Sequence, residues 1–232
     1  MRIASSTHAV VPPAVGAEAP PQLRFAVEGA SAIPHAASPT LAFALRVAAP
    51  DGQSIRAVAL NVQLQVAAAR RTYDAATQGR LVELFGEPER WGSTLRTLFW
   101  TRAALNVPAF TGETMVELPV ACTCDFEVVA ARYLHAVRDG IIPVELLFSG
   151  SVFYAGDGGA LRTGRISWDA EARYDLPARA WNEAMEAALA GRAWLALGRD
   201  AFDRLHAFRA AHALAGWDET VDALLRAAGD RE

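Results

Sequence analysis

The chain has 232 residues, 52% of them hydrophobic and 21% charged, with a net charge of −4. That length suits one large domain, or one medium domain with an appendage, and that apolar fraction argues against disorder. The acidic balance disfavours nucleic acid and anionic membrane surfaces, which want a basic face, so no nucleic-acid partner is expected. All 22 basic residues are arginine and alanine is abundant, as GC-rich codons leave a bacterial protein. Cys122 and Cys124 stand too close for an ordinary bridge along a strand, which fits a reducing compartment. No apolar run approaches the roughly 18 residues of a membrane span. Ala9-Val10-Val11 is stopped at once by Pro12-Pro13, which reads as no signal peptide. The expected location is the cytoplasm.

In chain order, residues 1–21 read as a flexible leader. Leu23, Phe25 and Val27 alternate, then Leu41, Phe43, Leu45 and Val47, with Asp51-Gly52 marking a turn. The clearest strand follows, with Val58, Leu60, Val62, Leu64 and Val66 on one face and Asn61, Gln63 and Gln65 on the other. Asp74 is placed to cap a helix from Ala75 to Phe85 that Gly86 and Pro88 end, and a second short helix is expected from Glu89 to Leu98. Strands resume with Phe99, Thr101, Ala103, Leu105 and Val107 on one face, then Val116, Leu118, Val120, Cys122, Cys124 and Phe126 on another. Residues 129–138 read as a short helix. A strand beginning at Val144 runs through a glycine bulge at Gly150, and Gly156-Asp157-Gly158-Gly159 turns it into a partner from Leu161 to Trp168. From Pro177 the period is helical: Trp181, Met185, Ala188 and Leu189 form one stripe, and Phe202, Leu205 and Phe208 a second with Asp200 as its cap. Asp218 starts a last helix carrying Val221, Leu224 and Leu225.

The fold class expected is therefore α+β. Residues 22–176 make an antiparallel β-sandwich of the immunoglobulin or C2 kind, with a helical insertion near 74–98. Residues 177–232 make a helical C-terminal segment packed on it.

No catalytic residue, metal ligand or cofactor site stands out, and no cofactor is expected. Cys122-Thr123-Cys124 with His135 lacks the four ligands of a structural zinc site, so buried core is the favoured reading. Ser149-Gly150-Ser151 lacks the strand–turn–helix context of a nucleophile elbow. A strand follows Gly156-Asp157-Gly158-Gly159, where a phosphate loop would hand over to a helix. Tryptophan serves cores and interfaces alike. The aromatic helical tail, through Trp181, Trp194, Phe202, Phe208 and Trp217, is the best candidate for a surface that binds another protein.

Several stretches carry a resemblance: 81–88 (Leu-Val-Glu-Leu-Phe-Gly-Glu-Pro), Trp100-Thr101, 107–112 (Val-Pro-Ala-Phe-Thr-Gly), 147–153 (Leu-Phe-Ser-Gly-Ser-Val-Phe), Trp168, and Pro177 through Trp181. Together they resemble an uncharacterised bacterial family of about this length, often encoded beside actinobacterial-type nickel–iron hydrogenase genes. The resemblance implies an accessory role in assembling or escorting a metalloenzyme, and it carries over no catalytic residue. The leading expectation is thus a non-catalytic accessory or interaction protein. One alternative is a ligand-binding β-sandwich for a sugar or lipid, with a concave apolar pocket between or beside its sheets. Another is a cryptic metal-dependent enzyme in which Cys122, Cys124 and His135 converge.

Overall fold

The structure, a computed structural model, describes residues 19–122, 128–189, 192 and 195–229. Two antiparallel sheets face each other across one apolar core, which makes the fold an α+β β-sandwich. The first sheet has the order β1 (Arg24–Ala32), β2 (Thr40–Ala48), β6 (Glu113–Ala121). The second centres on β3 (Ser54–Ala67) and β7 (Ile141–Ala155). β4 (Thr97–Val107) and the short β5 (Phe110–Thr111) pair with the outer side of β3, while β8 (Leu161–Arg165) and β9 (Glu171–Pro177) share the outer side of β7.

Alternation in β3 sends Val58, Leu60, Val62, Leu64 and Val66 into the core, each at most 2% exposed. Each such side chain contributes about 1.5–3 kcal/mol of burial. Phe43 of β2 meets Trp100 of β4 edge-on with ring centres 6.1 Å apart, and Phe25 stacks on Phe148 at 4.1 Å. These contacts tie the two sheets together.

Several expectations are corrected. The helix expected over Glu89–Leu98 is only a single turn, α2 (Trp91–Thr94), because β4 already begins at Thr97. Phe99 does not share a face with Thr101. A bulge opposite Leu64 and Gln65 shifts the register, so Leu98 and Trp100 turn inward and Phe99 is left 55% exposed. The strand expected to run to Trp168 stops at Arg165; Trp168 lies in a turn, 95% exposed, and a further strand, β9, begins three residues later. Gly150 is no bulge, since Ser149, Gly150 and Ser151 pair in unbroken register with Asn61, Leu60 and Ala59. Gly150 instead allows a close approach. Its φ is +140°, and a Cβ there would stand 2.0 Å from the Ala59 carbonyl oxygen.

Two helices pack together at one side of the sandwich. Helix α1 (Ala75–Phe85) starts where the Asp74 carboxylate accepts the Thr77 N–H at 2.6 Å, and it ends at Gly86 with φ +75°. Helix α3 (Val129–Ala136) lies beside it. The Tyr73 hydroxyl donates to the Ala68 carbonyl at 2.7 Å, which leaves it to accept from the Tyr133 hydroxyl, also at 2.7 Å. Burial, then the bond to Tyr73, pushes the Tyr133 phenol far above its usual pKa, so it keeps its proton and donates.

Helix α4 (Ala178–Leu189) belongs with the sandwich and not with the helices after it. The contact pattern divides the chain into residues 1–192 and 193–232, and not at Pro177. The cause is Trp181, which is 2% exposed and packs edge-on against Trp100 at 6.1 Å.

Two substitutions test this packing by chemical denaturation. Gly150→Ala combines a backbone clash with a disfavoured φ and should cost on the order of 3 kcal/mol or prevent folding. Gly29→Ala, with nothing within 4 Å of its Cβ position, should be nearly neutral. Trp181→Ala should cost about 3–5 kcal/mol, the range for emptying a large core site.

Candidate functional site

The second unit contains two helices of 13 residues each, α5 (Arg199–Ala211) and α6 (Trp217–Gly229). Gly198 occupies the N-cap of α5. Asp200 is not the cap; it lies in the first turn, where its charge complements the helix dipole. The helix ends with Ala213 in the left-handed region at φ +50°, and the Leu214 N–H reaches back to the Arg209 carbonyl at 3.1 Å. At the start of α6 the Glu219 carboxylate accepts the Ala215 N–H at 2.9 Å, and the Thr220 hydroxyl donates to the Gly216 carbonyl at 2.7 Å.

One indole holds the two helices together. The Trp217 ring lies 5.6 Å from Phe202 and 6.2 Å from His206, and the Arg209 guanidinium sits over it at 4.7 Å. Beyond this cluster little is covered. α5 has no buried side chain and α6 has only Thr220. Trp217 remains 38% exposed and Leu225 65%, with Val221, Leu224, Leu195 and Leu197 also open to solvent.

The residues expected to form the partner surface therefore separate. Phe202 and Trp217 come together. Phe208 stacks instead on His212, ring centres 4.1 Å apart. Trp181 is corrected to a core residue of the sandwich, since its helix docks on the sheets and covers it. Trp194 lies outside the described residues. The choice of aromatic residues overlooked Val221, Leu224 and Leu225, whose i, i+3, i+4 spacing marks one apolar helix face.

Other candidate chemistry is sparse. Cys122 is buried, its thiol donating to the Val120 carbonyl at 3.6 Å; Cys124 lies outside the described residues. Among the described residues, no three His, Cys, Asp or Glu side chains are grouped to hold a metal ion. Between the sheets, Phe43, Leu45, Leu60, Leu64, Leu118 and Leu146 are packed to near-zero exposure. Two cavities among the described residues open at the surface. One of about 580 Å³ is lined by Pro20, Leu23, Phe25, Gln53, Asp169 and Glu171. Another of about 400 Å³ opens between α1 and α3. No helix is long and apolar enough to cross a membrane among the described residues.

Among solved structures, the CARDB domain of the PF1109 protein from Pyrococcus furiosus, determined in complex with di-metal ions, is similar over 63% of this chain and 92% of its own, at 8% identity and a TM-score of 0.21. β-Glucosidase 3B from Thermotoga neapolitana, in complex with glycerol and with α-D-glucose, is similar over 67% of this chain and 17% of its own, at 12% and 11% identity and TM-scores of 0.21 and 0.20. Similarity this low says nothing about ligands or activity. No curated protein matches the sequence at a significant level. A family model does match, over residues 20–232, and the chain thereby belongs to a family of unknown function, DUF6084.

Proposed function

We propose that the protein is a non-catalytic accessory protein that acts by binding another protein, and that the α5–α6 hairpin carries the docking surface. The observation behind this reading is the hairpin's uncovered apolar face. Helices of 13 residues are marginal in water even with favourable sequences, and most helical stability in proteins comes from covering an apolar face. Here Val221, Leu224 and Leu225 stay exposed, so the hairpin offers a stripe of anchors of the kind that helix-in-groove recognition uses. The occupant is a folded protein with an apolar groove. The family resemblance supports a metalloenzyme under assembly, such as a nickel–iron hydrogenase, or one of its maturation factors, as that protein. A cytoplasmic location accords with the reading.

The test is affinity capture from the native host in mild salt, with the wild-type chain beside a Val221→Asp, Leu225→Asp double variant of unchanged circular dichroism. The wild type should recover one metalloenzyme subunit or maturation factor, and the variant should recover it at least about tenfold less, as for loss of a hot spot. Equal recovery by the variant would sink the proposal. Recovery of the chain alone under every growth condition that expresses it would do the same.

A further inference from the structure

We propose that the cavity between α1 and α3, lined by Arg80, Arg132 and Arg138, binds a small phosphoryl-bearing ligand as its dianion. This site is separate from the hairpin and does not depend on the docking reading.

Among the described residues, three arginines and one carboxylate, Glu83, line the cavity, an excess of two positive charges among those lining side chains. That concentration is unusual in a chain of net charge −4. His135 also lines the wall. Burial and then the Arg138 charge hold its pKa below the ordinary histidine value, which disfavours its charged form. A single carboxylate would cancel only half of the excess, whereas a phosphoryl dianion matches it.

Two of the guanidinium groups are positioned before any ligand arrives. Arg80 Nε donates to the Ala136 carbonyl at 2.7 Å, and its Nη2 donates to Thr77 Oγ1 at 3.0 Å. Arg132 Nη1 donates to Glu83 Oε1 at 2.6 Å. The backbone at Arg138 is fixed from α4, where Asn182 Nδ2 donates to the Arg138 carbonyl at 3.0 Å. Arg132 Nε is buried and finds no partner among the described residues, so this guanidinium is incompletely satisfied there. Arginine forks pair with phosphate oxygens in two parallel bonds, and fixing them beforehand lowers the ordering cost of binding. The volume, about 400 Å³, exceeds one phosphate group and lies in the range of small-molecule sites.

The experiment is isothermal titration calorimetry of the full chain with inorganic phosphate and, separately, glycerol 3-phosphate, at constant ionic strength. Saturable one-to-one binding is expected. Arg138→Gln should weaken it at least about tenfold. Glu83→Gln should tighten it, because it removes a negative charge from the cavity wall; a purely structural role for these residues would not produce that gain. Tighter binding of the ester would mark an organic phosphate as the ligand, and equal affinities would mark free phosphate; both support the site. The proposal is overturned if neither probe binds saturably, or if both variants bind as the wild type does.

Discussion

Strand β3 is hydrogen-bonded along both sides, to β4 and β5 on one and to β7 on the other. A strand so placed has no freedom of register. A slip of one residue would carry Val58, Leu60, Val62, Leu64 and Val66 to the wet face and Asn61, Gln63 and Gln65 into the core. The other layers follow from that constraint. The first sheet covers the apolar face of β3, and α4 covers the ring cluster around Trp100 through Trp181. Gly150 lets β7 approach β3 at the point where the outer side of β7 passes from β9 to β8.

What was legible in the sequence was local and periodic. The face of β3 could be read because apolar and polar side chains alternate strictly from Leu60 to Val66. Helix α1 could be read because Asp74 and Gly86 each do one physical job at its ends, accepting an orphan N–H and adopting a positive φ. The errors came where a long-range choice overrides a local pattern. The bulge in β4 flips Phe99 outward, and no residue of β4 signals it, since the shift is defined by pairing with Leu64 and Gln65. The apolar stripe of α4 looked like that of α5 and α6. Only three-dimensional packing separates Trp181, sealed against Trp100, from Trp217, held at a helical turn under Arg209.

The same distinction explains what was visible of the candidate sites. Aromatic content pointed to the tail, but aromatic residues are drawn to cores as strongly as to interfaces. The aliphatic stripe of α6 was the better guide to an uncovered face. The arginine-lined cavity was invisible in the sequence, because Arg80 comes from α1 while Arg132 and Arg138 come from α3 and its following turn, some fifty residues apart. Nothing local marks three arginines as neighbours in a chain whose basic residues are all arginine.

Hydrogen–deuterium exchange of the free full chain tests most directly the account of a sandwich with its own core and a hairpin whose apolar stripe is exposed. Amides of β3 and β7 should exchange only by global unfolding, and those of 199–229 should exchange many orders of magnitude faster, through local opening. Protection in α5 and α6 equal to that of β3 would contradict the account, because it would show that the hairpin is already stabilised within the chain itself.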